Sequence, residues 1–341
     1  MTADGGGELA LIRLIRDAAY RQHPDLRTGI GDDCAVLAVE PGELLLATTD
    51  LLVEDVHFRR RYADPADIGW KSLAVNLSDV ASMGGRPRWA LVALACPEST
   101  DREEIRAFYI AALGLADEHG VAIVGGDTSL SRSGWTVNVS LLGTATRPIL
   151  RSTASVGDVV VVTGSLGRSR AGLALLEGQE PLPRVEASAR AEAIAAHLRP
   201  RPRVKEGQWL GATARVTSMI DLSDGLATDL GHVVRESGVG ARVHLDRIPV
   251  ADSTGTIAAA LGEDARIWAT SGGEDYELLL TCPPAAVPGL ADGLRRATGT
   301  TLTPVGEIVS GSPGVQFVDA RGEPVEVTPG FEHFVTGRSR D

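Results

Sequence analysis

Apolar residues in the first half of the chain follow two periods, one typical of buried strands and one typical of amphipathic helices. The run at residues 44–49 predicts a buried strand. Asp64 followed by Pro65 predicts a helix start, because Asp caps a helix and Pro fits its first turn; Gly84 predicts the end near residue 83. The other predicted elements are a short helix around 11–15, a strand at 89–95, a helix at 101–119 and strands at 121–124 and 135–142.

The second half of the chain also mixes the two periods. The predicted elements are strands at 159–163, 216–220, 277–281 and 315–318, and helices at about 169–176 and 225–237. The pattern changes after Arg147-Pro148, so we place a domain boundary near residue 150 and expect domains at 1–150 and 151–341. Helices and strands alternate throughout, which predicts an α/β or α+β class with mixed sheets.

Composition and charge argue against several classes of function. The chain has 33 basic and 45 acidic residues and a net charge of −12. Binding to nucleic acid or to an anionic membrane through charge is therefore not expected, because both need clustered Lys and Arg. The three cysteines are too few and too scattered for a disulfide framework. Residues 1–7 show no basic stretch before an apolar run, so no signal peptide is expected and the predicted location is the cytoplasm.

Carboxylates beside glycine or at predicted strand ends recur at six places. They are Asp32 and Asp33, Asp50, Asp79 on a predicted helix face with Ser72 and Asn76, Asp127, Asp221 and Asp224, and Glu274 and Asp275. Oxygen ligands of this kind suit Mg²⁺, which binds through carboxylates and substrate phosphates. The recurrence predicts several Mg²⁺ ions and a phosphorylated substrate; the alternative is that each Asp only forms a turn or caps a helix.

Other nucleotide-binding motifs are missing from the sequence. Neither Lys71 nor Lys205 follows a glycine, so there is no P-loop. Residues 164–167, Gly-Ser-Leu-Gly, follow a predicted strand. They form either a phosphate-binding turn or an ordinary strand–helix turn.

Six motifs together resemble the thiamine-monophosphate kinase family, in the family's order and from about residue 8 to 334. They are Gly29-Ile30-Gly31-Asp32-Asp33, Thr48-Thr49-Asp50 with Val53-Glu54-Asp55-Val56-His57-Phe58, residues 71–84 around Asn76 and Asp79, Gly125-Gly126-Asp127-Thr128, Asp221-Leu222-Ser223-Asp224-Gly225, and Gly272-Gly273-Glu274-Asp275-Tyr276 with the later Gly330-Phe331-Glu332.

The resemblance implies an architecture and a reaction. It implies a two-domain fold like that of aminoimidazole ribonucleotide synthetase, with a homodimer formed by the N-terminal domains and ATP in a cleft between domains. It implies the phosphorylation of thiamine monophosphate by ATP, giving thiamine diphosphate. If the dimer forms, apolar strand faces such as that of residues 135–141 are candidates for its interface.

The resemblance also implies roles for individual residues. Metal ligands are Asp33, Thr48, Thr49, Asp50, Asp79, Asp127, Asp221 and Asp224; among them Asp33, Asp50, Asp79, Asp127 and Asp224 are the expected catalytic set. ATP contacts are Gly126, Asp127, Arg151, Ser223 and Tyr109. The thiamine side is formed by His57, Glu274 and Phe331. One departure is Asp55, which stands where the family has glycine.

The expected chemistry needs little from a general base. The nucleophile is a phosphate, already an anion, so alignment and charge neutralisation dominate. We therefore expect direct in-line transfer without a phosphoenzyme. Two alternatives stay open: another reaction of the same ATP-using group, and a non-enzymatic regulator that binds metal or nucleotide.

Overall fold

The computed structural model describes residues 15–17, 25–28, 35–178, 185–328 and 330. Packing divides the chain into two compact units, Met1–Pro148 and Ile149–Asp341. Both combine helices with β-sheets, which confirms the predicted mixed α/β class. Among the described helices, none has the length and hydropathy needed to cross a bilayer.

The N-terminal unit is built on a four-stranded sheet in the order β3-β6-β4-β5. Its strands are β3 (Leu44–Val53), β4 (Arg86–Cys96), β5 (Ala122–Leu130) and β6 (Thr136–Ala145), with a small ribbon of β1 (Leu26–Thr28) and β2 (Val36–Leu37). Strand β3 runs past the predicted end at residue 49, because β6 pairs with all ten of its residues, from Leu44↔Ala145 to Val53↔Thr136.

Helices α1 (Pro65–Ser82) and α2 (Arg102–His119) cover one face of this sheet. Helix α1 begins after Asp64, the predicted N-cap, and α2 after Asp101; each aspartate is part of a reciprocal capping box. The covered face takes the apolar side chains at 135, 137, 139 and 141, which are at most 3% exposed. These residues are therefore not available as a dimer interface, contrary to the expectation from their pattern.

The opposite face of the sheet is open and partly apolar. Strand side chains alternate between faces, and Leu45, Leu51 and Leu91 on the uncovered side are 54%, 52% and 37% exposed. The residues of this exposed stripe lie on β3 and β4, which flank β6 in the sheet.

The C-terminal unit is built on a seven-stranded sheet in the order β13-β12-β9-β11-β7-β10-β8. The strands are β7 (Val159–Thr163), β8 (Ser218–Asp221), β9 (Gly240–His244), β10 (Leu278–Cys282), β11 (Leu302–Val309), β12 (Gly314–Val318) and β13 (Pro324–Val325). The helices are α3 (Arg168–Glu177), α4 (Ala187–Leu198), α5 (Val204–Thr213), α6 (Leu226–Ser237), α7 (Asp252–Leu261), α8 (Ala265–Ser271) and α9 (Val287–Thr298).

Three apolar clusters organise this unit. One joins the sheet to α6 through residues such as Leu230 and Val233. A second joins it to α5 and α9 through Leu210 and Leu290. A third packs α3, α4, α7 and α8 together around Trp268.

The turn after β3 explains the departure at Asp55. Its φ is 64°, in the left-handed region, and its N–H donates to the carbonyl of Phe58 at 2.8 Å. Glycine adopts this conformation freely, whereas Asp is among the few other residues that tolerate it. The expected glycine and the observed aspartate are therefore both compatible with the left-handed backbone conformation of this turn.

We expect Asp55→Gly to keep the free energy of unfolding within about 1 kcal/mol of the wild type, because glycine fits a positive φ. Asp55→Val should lose about 1–2 kcal/mol, because a β-branched residue is strained there. Urea unfolding of the two variants and the wild type measures both effects. Equal stability of the two variants would contradict the left-handed conformation.

Candidate functional site

Three predicted metal ligands come together where β3 meets α1. Thr48 and Asp50 are two residues apart on β3 and so share the helix-covered face. The hydroxyl of Thr48 donates a short hydrogen bond to Oδ2 of Asp79, which lies near the end of α1. The structure thus brings the Thr48 hydroxyl and the Asp79 carboxylate into contact and places Asp50 on the same face of β3.

The neighbouring Thr49 points the other way. Its hydroxyl accepts a hydrogen bond from Nδ2 of Asn138 at 2.9 Å and lies 3.1 Å from the hydroxyl of Ser140. A strand sends successive side chains to opposite faces, so the structure does not bring Thr49 together with Asp79.

Gly126 and Asp127 lie on β5, at the edge of the same sheet. Gly126 has a φ of 152°, and a Cβ there would lie 1.9 Å from the carbonyl oxygen of Val92, so only glycine fits. Asp127 pairs in register with Ala93, on the open side of the sheet, and its Oδ1 accepts from the N–H of Thr128 at 2.9 Å. Asp127 is exposed, and its register separates it from Thr48 and Asp50.

His57 is held in place by the turn after β3. Its Nδ1 accepts a hydrogen bond from the N–H of Val53 at 3.0 Å, and its own carbonyl lies 3.5 Å from Nζ of the buried Lys71. Because Nδ1 is the acceptor, the neutral ring carries its proton on Nε2. The structure therefore fixes both the orientation and the tautomer of this imidazole.

Tyr109 is part of the helical core of the N-terminal unit. Its side chain is 3% exposed and meets Phe108 edge to face, with ring centroids 5.2 Å apart. Burial, with a smaller contribution from Cys96, raises the pKa of the phenol. Its contact with ATP stays a prediction.

In the C-terminal unit, the predicted ligands Asp221 and Asp224 lie on the turn between β8 and α6. Asp221 is 5% exposed and ends the strand. Two backbone hydrogen bonds tie this turn to the segment before β10: Glu274 N–H donates to the carbonyl of Ser223 at 2.7 Å, and Tyr276 N–H to that of Leu222 at 2.9 Å. The two motifs thus form one structural element.

Two residues of this site were missed from the sequence, Asp229 and His232 on α6. Oδ2 of Asp229 accepts from the N–H groups of Asp224 and Gly225 at 3.1 and 3.0 Å. Burial, followed by the charges of Asp221 and Asp224, raises the pKa of Asp229 well above its usual range. An acid in the first turn of a helix that follows a glycine is the sequence signal for this cap.

His232 stands one turn further along α6. Its ligand nitrogen and the carboxylates of Asp224 and Asp229 all lie within 4.8 Å of one another. Burial lowers the pKa of His232, and the positive charges of Arg235 and Arg151 lower it further. The predicted ATP contact Arg151 and the predicted metal ligand Asp224 therefore lie around the same imidazole.

The turn at residues 164–167 now has an explanation. The carboxylate of Asp275 accepts from the N–H of Gly167 at 2.6 Å and from that of Ser169 at 3.1 Å, at the start of α3. An internal carboxylate thus occupies the donors that a phosphate would use. This favours an ordinary strand–helix turn over a phosphate-binding one.

Glu277, at the end of the same segment, is neutralised inside the unit. It is 1% exposed and accepts two hydrogen bonds from Arg203, at 2.7 and 2.6 Å. Arg168 donates at 3.0 Å and the hydroxyl of Thr163 at 2.6 Å. Because its charge is paired in this way, Glu277 acts as a structural residue that holds the start of β10 in place.

Two predicted site residues, Asp33 and Phe331, lie outside the described part of the chain. Gly330, which precedes Phe331, is described: its N–H donates to the hydroxyl of Thr228 at 2.9 Å. A Cβ on Gly330 would lie 1.8 Å from the carbonyl oxygen of Asp224. The residue before Phe331 therefore packs against the turn that carries the predicted ligands.

Family models match both units. Residues 31–145 match the AIR synthase related protein, N-terminal domain, and residues 155–318 match the AIR synthase related protein, C-terminal domain.

Several similar proteins carry the name thiamine-monophosphate kinase. The thiamine-monophosphate kinase of Salmonella typhimurium is 40% identical over 334 residues, covering 97% of this chain and 99% of the relative. The crystal structure of thiamine-monophosphate kinase from Stenotrophomonas maltophilia is 36% identical with a TM-score of 0.81, covering 94% of this chain and 98% of that one. AaThiL complexed with AMPPCP and TMP is 32% identical with a TM-score of 0.75, covering 98% and 99%.

Asp275 yields a prediction about pH. Burial raises its pKa to about 7, although two N–H donors oppose the shift. The folded protein therefore holds this proton at pH values where the unfolded chain, with a pKa of about 3.9, has lost it. The contribution of Asp275 to stability is complete below about pH 4 and is lost as the pH rises through about 7.

We expect the difference in unfolding free energy between the wild type and Asp275→Asn to shrink as the pH rises from 4 to 7. The slope is at most about 1.4 kcal/mol per pH unit. Denaturant unfolding at several pH values measures it, with the exposed Asp292→Asn as the matched control. A difference that does not change with pH would contradict the protonated, buried Asp275.

Proposed function

The chain belongs to the thiamine-monophosphate kinase family, and we propose that it phosphorylates thiamine monophosphate with ATP. The bond between the γ-phosphorus and the β–γ bridging oxygen breaks, and an oxygen of thiamine monophosphate bonds to that phosphorus. The products are ADP and thiamine diphosphate. The observation that carries the proposal is similarity over nearly the full chain to proteins of this name; fold alone would not carry it.

The residues suit a transfer between two phosphates. The acceptor oxygen is already an anion, so no strong base is required, and direct in-line transfer needs alignment above all. Arg151, exposed in the C-terminal unit, is suited to bind ATP phosphates through its guanidinium. His57 in the N-terminal unit, and Glu274 and Phe331 farther along the chain, are each proposed to contact the thiamine substrate. AMPPCP, an ATP analogue, and TMP bound to AaThiL support the two-substrate reaction.

The donor atoms fit Mg²⁺. In the N-terminal unit Thr48, Asp50 and Asp79 offer hard oxygen ligands on one side of the sheet, and in the C-terminal unit Asp221 and Asp224 do so. These residues would hold the ions, with Asp33, Thr49 and Asp127 as further proposed ligands. Bound Mg²⁺ supplies charge neutralisation to the phosphates. The protein residues themselves bind and orient the two substrates.

A turnover assay tests the proposal. Purified protein is mixed with ATP, Mg²⁺ and thiamine monophosphate, and thiamine diphosphate is measured by fluorescence after oxidation. We expect product from the monophosphate and none from free thiamine or without metal. ATP consumption without thiamine diphosphate would point to another substrate of the group, and a protein that only binds ATP would point to a regulator. Protein labelled by ATP alone would overturn direct transfer.

Asp79→Asn should lower kcat by about 100-fold, because it removes a ligand charge at nearly constant volume. The fold should stay intact, since an amide oxygen still accepts from Thr48. The same assay measures kcat, and circular dichroism checks the fold. Asp117→Asn, on the exposed side of α2, is the matched control. A folded Asp79→Asn with wild-type kcat would remove Asp79 from the site.

We also propose that the chain forms a homodimer through the open face of the N-terminal sheet. Leu45, Leu51 and Leu91 form an exposed stripe of apolar side chains there, with polar side chains such as Thr49 between them, and exposed apolar side chains on one uncovered face mark interfaces. A two-fold pairing would bring the same stripe of both copies together.

Sedimentation tests the dimer. We expect the wild type to sediment at twice the chain mass of 35.7 kDa, and Leu45→Glu/Leu51→Glu at the chain mass, because two charges per copy would be buried. Ile110→Glu, at an exposed apolar position on α2, should remain dimeric. A monomeric wild type at micromolar concentration would refute the interface.

A further inference from the structure

A buried histidine contacts the proposed substrate residue Glu274. His197 lies near the end of α4 and is 3% exposed. Its Nδ1 lies 3.2 Å from Oε2 of Glu274 and 3.0 Å from the hydroxyl of Ser169 on α3. Glu274 itself is 29% exposed at its side chain. One end of this pair is therefore fixed in the interior and the other reaches the surface.

Helix packing fixes the imidazole. Helices α3 and α4 approach so closely at Gly172 that a Cβ there would lie 2.1 Å from the carbonyl oxygen of Ala193 and 3.0 Å from Cβ of His197. Such contact leaves the His197 side chain little freedom to change rotamer. The position of Nδ1 is thus set by the helix pair rather than by the surface loop.

The loop that carries Glu274 has a strained backbone. Glu274 and Tyr276 have φ values of 57° and 51°, in the left-handed region, and Gly273 precedes them at 61°. Non-glycine residues keep this conformation only when their surroundings enforce it. Backbone bonds to the 222–223 turn and the Asp275 carboxylate at the start of α3 enforce it here. A side chain on this loop is therefore placed by contacts beyond the loop itself.

The nearby arginines serve a different carboxylate. Arg168 and Arg203 both bind Glu277, as described above. The imidazole of His197 lies within hydrogen-bond distance of the Glu274 carboxylate, with Nδ1 3.2 Å from Oε2. When Nδ1 carries the proton, the Glu274 carboxylate is a stronger acceptor for it than the Ser169 hydroxyl.

We propose that His197 is a positioning residue: by donating from Nδ1 to Oε2, it holds the Glu274 carboxylate in one orientation for the thiamine part of the substrate. This inference rests on the proposed function, in which Glu274 faces thiamine. The hydroxyl of Ser169 contacts the same imidazole nitrogen. The N–H of Ser169 donates to the Asp275 carboxylate at the start of α3, so Ser169 connects the histidine with this helix cap. The two helices, the cap and the histidine thus act together on one substrate group.

Steady-state kinetics tests the role of His197. We expect His197→Phe, which removes the donor, to raise KM for thiamine monophosphate about tenfold and to leave KM for ATP within about twofold. His197→Asn should recover KM to within about threefold of the wild type, because its Nδ2 takes the place of Nδ1. His244→Phe, outside the site, is the matched control.

A double-mutant cycle separates positioning from a general structural role. If His197 acts through Glu274, His197→Phe should change kcat/KM for thiamine monophosphate by less than about twofold in a Glu274→Gln background. An effect that is the same in both backgrounds, or an equal rise in both KM values, would overturn the proposal.

Amide hydrogen exchange tests the same inference without an activity assay. With no substrate present, the Glu274 amide should exchange about tenfold faster in His197→Phe than in the wild type or in His244→Phe, because the loop loses an anchor. An unchanged exchange rate would overturn positioning even if the kinase activity is found. Faster exchange in a protein without kinase activity would support the anchor and refute only the proposed function.

Discussion

Burial of carboxylate groups is the constraint on which the C-terminal unit depends. An ionised carboxylate inside a protein is costly unless donors or cations compensate it. Asp229 receives two backbone N–H groups, Asp275 two more, and Glu277 receives two arginines and a hydroxyl. The contacts of Asp275 and Glu277 join segments that are distant in sequence, whereas those of Asp229 close the turn just before it. The turn with Asp221 and Asp224, the start of α3 and the loop with Glu274 are consequently one connected framework.

The N-terminal unit depends on a different constraint, the two-residue period of a strand. That period sends Thr48 and Asp50 toward α1 and Thr49 toward the open face. It also makes the sheet two-sided, with one side closed by helices and one side left apolar and exposed. The strand therefore places the side chains of Thr48 and Asp50 on one face of the sheet and that of Thr49 on the other.

The sequence predicted elements and site residues whose signal is local. Aspartate caps, glycine stops and apolar runs gave α1, α2 and β7 nearly to the residue. Helix α4 was missed because it buries only Ala193 and His197, which leaves little apolar periodicity. Strand β9 was not predicted either. It has only five residues, two of them Gly240 and Ala241, and its position in the sheet depends on pairing with β11 and β12.

The site shows the same division between local and long-range information. Asp221 and Asp224 were found because their motif is continuous, whereas His197 was not, because its contact to Glu274 exists only after α4 packs on α3. Asp55 shows the converse: a residue that departs from the family pattern keeps the backbone shape that the pattern encodes.

Hydrogen-bond partners help to separate structural polar residues from functional ones. Ser72 and Asn76 share a helix face with Asp79, yet the Ser72 hydroxyl donates to the carbonyl of Ile68 and Nδ2 of Asn76 to that of Ser72, both within α1. Asp79 instead accepts from Thr48 on another element. Both hydrogen bonds therefore stay inside α1, and among the described residues none donates to the buried Oδ1 of Asn76. The bond to Thr48 thus holds the Asp79 carboxylate against a second element, the middle of β3, and its role as a metal ligand stays a prediction.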